Sequence, residues 1–355
     1  MDPRWKRLGE LLVNYSTAVK PGERVMIAMG ELESFPLASG VHEAVIRAGG
    51  YPQVQFHSET LRHQLLRDGS GEQLSWVPEI EAAGMEWADV YIGLRGAYNL
   101  HIHNAIPTER LSANQAAMGK ISTLRWQKTR WVLVRVPNAA LAHQAETDDE
   151  TITEMFFNAC LLDWPRHSAL WRQWAEKMNG ASTVRVTGEG TDLSFSVAGR
   201  KWIAADGRSN MPDGEIMTAP VEGSVHGTIS FELPGVLSGR LVEGIRLRWE
   251  RGRLVEAASS SNTEFLRAVL ATDAGASIVG EFAMGTNMAV NRFCKDILID
   301  EKIGGTVHIA LGRSYPEASG KNTSAIHWDI IKDIRRAGCV EVDGKAVLRD
   351  GEFLL

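Results

Sequence analysis

Cysteine is scarce in this chain, with 3 residues in 355. Cys160, Cys294 and Cys339 are an odd set at wide spacing without a Cys-x-x-Cys pair, which excludes a disulfide framework and a thiolate zinc site. Each reads as a small buried hydrophobe. No apolar run approaches the ~18 residues that span a bilayer, so no membrane-spanning helix is expected. No cluster of five or six Lys/Arg residues occurs, and the net charge of -6 with a pI near 6.0 leaves no electrostatic footprint for nucleic acid. A Gly-x-Gly-x-x-Gly after a strand and a Walker loop are both missing, so a nucleotide need not be held. The absence of a fixed-period repeat or low-complexity tract removes solenoid and disordered readings. The start, Met1-Asp2-Pro3-Arg4-Trp5-Lys6-Arg7, is polar and lacks the pattern of a secretory leader. A cytoplasmic protein is the expectation.

What is present is the composition of an ordinary globular protein, 44% hydrophobic and 23% charged, with length for two domains. Up to about residue 180, the apolar, β-branched runs 24–29, 53–56, 89–94 and 131–136 alternate with longer segments. That is a βαβ rhythm and predicts a parallel sheet flanked by helices. Residues 34–48 carry apolar side chains at helical spacing and stop at Gly49-Gly50. The acidic start Asp148-Asp149-Glu150 and the Trp164, Trp171, Trp174 pattern predict closing helices, with the tryptophans in the core. After Met178-Asn179-Gly180 the texture changes to short strands with glycine-marked turns, at 183–187, 192–198, 227–231 and 241–249. The expected fold class is α/β: an N-terminal parallel-sheet α/β domain, 1–180, and a mixed α+β metal-binding domain with short strands, 181–355.

The first half offers one polar tract, Tyr98–Asn104, in which His101 and His103 at strand spacing would share a face; the alternative is a polar loop. In the second half, ionisable residues sit inside apolar, strand-like stretches, where burial demands compensation. In Ser324-Ala325-Ile326-His327-Trp328-Asp329-Ile330-Ile331, His327 and Asp329 project to one face of a strand. One imidazole and one carboxylate can then grip one cation, although a His–Asp hydrogen bond in a core would look the same. His308 lies in a β-type run bracketed by glycines, with Glu301 seven residues before it and Tyr315 seven after. Glu215 and Glu281 each follow a glycine and precede an apolar stretch, which suggests carboxylates aimed into a site. Together Glu215, Glu281, His308, His327 and Asp329 give three carboxylates and two imidazoles, a set suited to Zn²⁺, Co²⁺ or Mn²⁺. Five such groups exceed one catalytic zinc with an open position, and would be used up by two cations sharing a carboxylate. Their convergence in space is assumed.

The segments MPDGEIMTAP at 211–220, GEFAMGTN at 280–287, and DEKIGGTVHIALGRSYPE to NTSAIHWD at 300–329 resemble the metal-site motifs of the thermophilic aminopeptidase (aminopeptidase T) family of dinuclear metallopeptidases. The resemblance runs over roughly residues 200–335. It implies that Glu215, Glu281, His308, His327 and Asp329 are ligands of two divalent metal ions (Zn, Co, Mn or Mg), and that Tyr315 sits in the site. Glu301, in a segment two residues longer than in many members, is carried as a further candidate ligand. The resemblance also implies a homodimer acting on small peptides.

The expected function is a metallo-aminopeptidase, a hydrolase releasing N-terminal amino acids from short peptides through a metal-activated water. Asp329 or Glu281 would bridge the metals, Glu281 or Glu301 would shuttle the proton, and Tyr315 would donate to the oxyanion. Three alternatives stay open: a metal-dependent amidase on a non-peptide amide, a mononuclear-iron ring-cleaving dioxygenase of the 2,5-dihydroxypyridine type, and a binding module without turnover.

Overall fold

A computed structural model of the chain describes residues 2–355. The chain divides into two compact units, 1–161 with 207–212, and 162–206 with 213–355. The texture change at residues 178–180 falls where helix Trp164–Met178 ends and strand Thr183–Gly188 begins. By its contacts that helix goes with the second unit.

The first unit is a five-stranded parallel sheet in the order Tyr51–His57, Arg24–Gly30, Val90–Arg95, Arg130–Arg135, Asn210–Met211. The apolar runs predicted as strands are the first four of these. The inner strand RVMIAMG is buried at its five central positions, as a strand covered on both faces must be. The outer strand YPQVQFH is half exposed and holds Pro52, which an edge tolerates because its missing N–H breaks no ladder bond there.

Helices fill the crossovers: Phe35–Arg47, then Glu59–Asp68, Gly71–Ser75 and Glu79–Trp87, then Thr108–Lys128. Helix Phe35–Arg47 stops where the glycine pair predicted. Gly49 takes φ 78°, its N–H donates to the Ile46 carbonyl, and Gly50 N–H donates to Val45. That pair of bonds satisfies carbonyls the helix end would orphan.

Tyr98–Asn104 is not a strand. Asn99 Oδ1 accepts from His101 N at 2.9 Å, and Ile102, Asn104 and Ile106 each donate three residues back. The asparagine side chain nucleates a turn in place of a ladder. The two histidines part: His103 Nε2 lies 2.8 Å from Glu59 Oε2, and His101 Nδ1 3.2 Å from Asn104 Nδ2.

The second unit carries two large antiparallel sheets and a two-stranded one, Gly235–Leu237 with Arg240–Val242. One has eight strands, in the order Arg253–Ala258, Arg246–Glu250, His226–Ser230, Thr191–Ser196, Thr183–Gly188, Cys339–Val342, Lys345–Arg349, Glu352–Phe353. The other has five, in the order His327–Lys332, Val307–Gly312, Val279–Gly285, Glu215–Thr218, Ile203–Ala205. The run 241–249, read as one strand, is two: Gly244 at φ 60° breaks it between Arg240–Val242 and Arg246–Glu250, which belong to different sheets. Phe195 of the eight-stranded sheet meets Phe282 of the five-stranded one with ring centroids 5.1 Å apart, and Trp202 stands edge-on to Phe282 at 6.2 Å. Trp164 and Trp171 are core as expected, while Trp174 is half-buried and stacks on Phe353 at 4.8 Å.

In the first unit, helix Pro3–Leu11 packs on helix Phe35–Arg47 through Gly9 and Gly40. A Cβ on Gly9 would lie 2.4 Å from the Gly40 carbonyl carbon, whereas Gly119, exposed on helix Thr108–Lys128, has nothing within 4 Å. Gly9→Ala is expected to destabilise by about 1–3 kcal/mol despite its better helix propensity, and Gly119→Ala to stabilise by up to ~1 kcal/mol. Urea unfolding of both variants checks this, and equal effects would refute the close packing.

Candidate metal centre

Because side chains alternate across an antiparallel sheet and paired residues point the same way, strand register decides what meets what. Glu281 pairs with Ala310, and Ala310 with Asp329. Ala283 pairs with His308, Gly285 with Glu215, and Gly312 with His327. All five predicted ligands therefore share one face. Between them that face carries Ala283, Gly285, Ala310 and Gly312, whose small side chains leave room. The opposite face carries Phe282, Met284, Ile309, Leu311, Trp328 and Ile330, all buried against the core. The two Gly-Glu steps keep neighbours close, as read: a Cβ on Gly280 would lie 2.2 Å from the Gly312 carbonyl oxygen, and one on Gly214, at φ 123°, 2.8 Å from the Asn287 and Trp171 side chains and 3.2 Å from the Asn287 backbone nitrogen.

The functional atoms converge. His308 Nε2 stands 3.4 Å from Glu215 Oε2 and 3.6 Å from Glu281 Oε1. His327 Nε2 stands 3.4 Å from Glu281 Oε2 and 3.4 Å from Asp329 Oδ1. Two groups of potential ligand atoms result, Glu215–Glu281–His308 and Glu281–His327–Asp329, each within 4.8 Å, with Glu281 in both. The first is buried throughout, and in the second only His327 is partly open.

Glu215 Oε2, both His308 ring nitrogens and Asp329 Oδ1 are buried without a hydrogen-bond partner. Buried polar atoms of that kind are rare unless something unseen in a static protein chain satisfies them. The donor set is that of a Zn²⁺, Co²⁺ or Mn²⁺ site, so the residues fit the metals that the sequence implied. His327 Nδ1 lies 2.7 Å from the Arg313 carbonyl oxygen, which fixes that nitrogen as the donor and turns the Nε2 lone pair toward the carboxylates.

The electrostatics favour positive charge. Burial pushes Glu215 up to about 7, against the pull of Lys302. Burial also acts on Glu281 and Asp329, yet the imidazoles beside them hold both below the usual carboxylate range. In the other direction burial disfavours imidazolium at His308, but Glu281, Glu215 and Asp329 draw it up to about 9. Tyr315 stacks obliquely on His327, ring centroids 4.9 Å apart, and burial pushes its phenol pKa up, so the hydroxyl keeps its proton.

Glu301 stands beside the same polar face, its pKa raised by burial and by Asp329 while Lys302 pulls against both. It belongs to neither ligand group, and its Oε2 accepts from Lys302 Nζ at 2.7 Å. Lys302 itself, with Asp213, is what sequence reasoning missed. Its ammonium is fully buried, 2.7 Å from Glu215 Oε1 and 3.7 Å from Asp213 Oδ1. The signal existed: Asp300-Glu301-Lys302 interrupts an apolar stretch just as Glu215 and His308 do. Asp300 has a different task, accepting from Cys294 N at 2.6 Å and Asp296 N at 2.9 Å to shape the preceding loop.

Buried carboxylates and imidazoles lining one sheet face, with mutually orphaned donor atoms, are the equipment of a metallohydrolase. The chain belongs to the thermophilic metalloprotease (M29) family, whose model matches residues 1–353, and it is a metallo-aminopeptidase. Aminopeptidase 2 of Geobacillus stearothermophilus is 24% identical to it, over 98% of this chain and 96% of the relative. Among solved structures, wild-type AmpT from Thermus thermophilus has a TM-score of 0.89 at 24% identity, covering 99% of each chain. A 2,5-dihydroxypyridine dioxygenase from Pseudomonas putida KT2440 has a TM-score of 0.63 at 14% identity, covering 99% of this chain and 96% of that one. Both solved structures share the fold.

The segment that follows Tyr315 is tied down by a clamp. Arg200, nearly buried, donates to the Ser319 carbonyl and pairs with Glu222 at 2.5 Å, and Glu222 Oε1 accepts from Lys321 N at 3.0 Å. Removing a charged hydrogen bond of this kind costs about 1.5–3 kcal/mol locally, so Arg200→Met should speed hydrogen exchange of the Ser319–Lys321 amides by roughly 10–100-fold. Unchanged exchange there would show that the segment is held by other contacts.

Proposed function

We propose that Glu215, Glu281 and His308 hold one divalent cation and Glu281, His327 and Asp329 a second, of the Zn, Co, Mn or Mg type, and that this centre releases N-terminal amino acids from short peptides. The observation that carries the reading is Glu281, which turns one carboxylate oxygen to each imidazole, at 3.6 and 3.4 Å. Sequence alone left the bridge open between Asp329 and Glu281, and the geometry favours Glu281. Charge supports the same count. Five carboxylates (Asp213, Glu215, Glu281, Glu301, Asp329) against the Lys302 ammonium leave -4 with both imidazoles neutral, the charge two dications cancel.

Cations bound there would supply Lewis acidity and a water that ionises near neutral pH. The protein does the rest. Tyr315, protonated and partly open, donates to the oxyanion that develops on the scissile carbonyl. Glu281 is committed to both ligand groups, which leaves Glu301 to take the proton of the attacking water and return it to the leaving amine. We carry the homodimer and the cytoplasmic setting as parts of the same proposal, supported by the family. Among the described residues no helix is long and apolar enough to cross a membrane.

Metal analysis should find about two divalent ions per chain, and chelation should abolish hydrolysis of aminoacyl-nitroanilides and dipeptides, with Co²⁺ or Zn²⁺ restoring it. Asp329→Ala should keep about one ion and Glu281→Ala neither, because only Glu281 serves both groups. Equal losses would refute the bridge. One iron per chain with oxygen uptake on a dihydroxypyridine would replace the peptidase by the dioxygenase, and turnover only of non-peptide amides would select the amidase.

Tyr315→Phe is expected to lower kcat by ~10²-fold at unchanged metal content. Wild-type turnover would remove the phenol from the mechanism.

A further inference from the structure

Lys302 is a fully buried cation placed between two carboxylates with different work to do. Its Nζ is 2.7 Å from Glu215 Oε1 and 2.7 Å from Glu301 Oε2. Glu215 therefore keeps only Oε2, the oxygen without a partner, for the His308 side of the cluster. Through the shared ammonium Glu301 is the direct neighbour of Glu215, a member of the first ligand group, yet it stays outside both groups. A free glutamate so near two cations would be drawn in as a sixth ligand, since carboxylate oxygen is a hard donor they accept. A general base needs a lone pair uncommitted to metal.

We propose that Lys302 is a positioning residue that keeps Glu301 out of the metals' coordination. This rests on the two-cation reading above. The backbone supports the restraint. Glu301 and Lys302 are consecutive, and Lys302 N donates to the Ile299 carbonyl at 3.0 Å while its own carbonyl accepts from Asn287 N at 3.2 Å. Asn287 Nδ2 in turn donates to the Asp213 carbonyl oxygen at 2.8 Å, tying the lysine segment to the one that leads into Glu215. The backbone beneath the lysine is thus anchored, and its fully buried side chain sets the ammonium between the two carboxylates. A compact point charge suits a site that bonds two carboxylates at 2.7 Å and faces a third, Asp213, at 3.7 Å, where arginine would bring a longer planar fork.

The test uses the full-length protein loaded with Co²⁺, whose visible absorption weakens as its coordination number rises. Titration of the wild type first establishes that two Co²⁺ bind. Fewer than two would sink the two-cation reading before Lys302 is addressed. In Lys302→Met the absorption should fall as Glu301 swings onto a metal, kcat should drop by about 10²-fold or more, and KM should change little. The double variant Lys302→Met/Glu301→Gln should regain the wild-type absorption without regaining turnover, since a neutral amide competes poorly for the cation. A merely structural lysine would leave the double variant's spectrum as altered as the single one, and that result overturns the proposal. If Lys302→Met does not fold, Glu301→Gln alone decides. An unchanged Co²⁺ spectrum with kcat lowered about 10²-fold or more supports an unligated Glu301, and a changed spectrum makes Glu301 a ligand and refutes the assignment.

Discussion

The second unit is organised around buried negative charge. Asp213, Glu215, Glu281 and Asp329 are each 0–7% exposed; the last three share one face of a single sheet and Asp213 lies in the loop that leads into it. Ionised carboxylates in such surroundings are costly unless positive charge answers them at short range. The molecule answers with Lys302, two imidazoles, and a sheet face whose geometry gathers cation ligands in two overlapping groups. The core behind that sheet is correspondingly apolar and rigid, with Phe282, Trp328 and the isoleucines of two strands filling the reverse face. A carboxylate held in place by a packed strand cannot swing away to solvent.

Much of this was legible before any coordinates. The βαβ alternation gave the parallel sheet, and the glycine pair gave the end of helix Phe35–Arg47, because both signals are local and periodic. The site residues were legible for a different reason. Charged groups inside β-type apolar stretches are anomalies, and His327 and Asp329 two apart must share a face. Lys302 escaped because lysine in a charged triplet ordinarily marks a solvated turn, although the apolar stretch that the triplet interrupts was the same anomaly that marked Glu215 and His308. The His101 and His103 pairing failed for a local reason too: Asn99 offered its side chain to the backbone and the tract closed into turns. The run 241–249 failed at Gly244, where left-handed backbone split one apolar stretch between two sheets.

The division of labour proposed for Glu281 and Glu301 follows position on the strand and off it. Glu281 lies within a fully buried strand, in register with Ala310 of the neighbouring strand, and its two oxygens stand 3.6 and 3.4 Å from the His308 and His327 Nε2 atoms. Glu301 caps the short helix Ile297–Asp300, where the chain leaves regular structure, and its aim comes from a neighbouring ammonium. A proton carrier must move a little and a bridging ligand must not, and in the proposed roles the two backbones would supply that difference.

Register is the constraint on which the centre's chemistry finally depends. A slip of one residue along the Val279–Gly285 strand would carry Glu281 to the apolar face and bring Phe282 among the carboxylates. The hydrophobic pattern alone guards weakly against this, since every residue from Val279 to Gly285 is buried and both faces are crowded. The glycines guard it better. A Cβ at Gly280 would collide with the Gly312 carbonyl, and one at Gly285 with the Ile303 carbonyl at 2.1 Å, so each strand end fits only where a residue without a side chain stands. The bulge between Val279 and Glu281 then turns the glutamate into line with Ala310 and Asp329. The glycine beside each functional glutamate is thus what sets the face on which that glutamate appears.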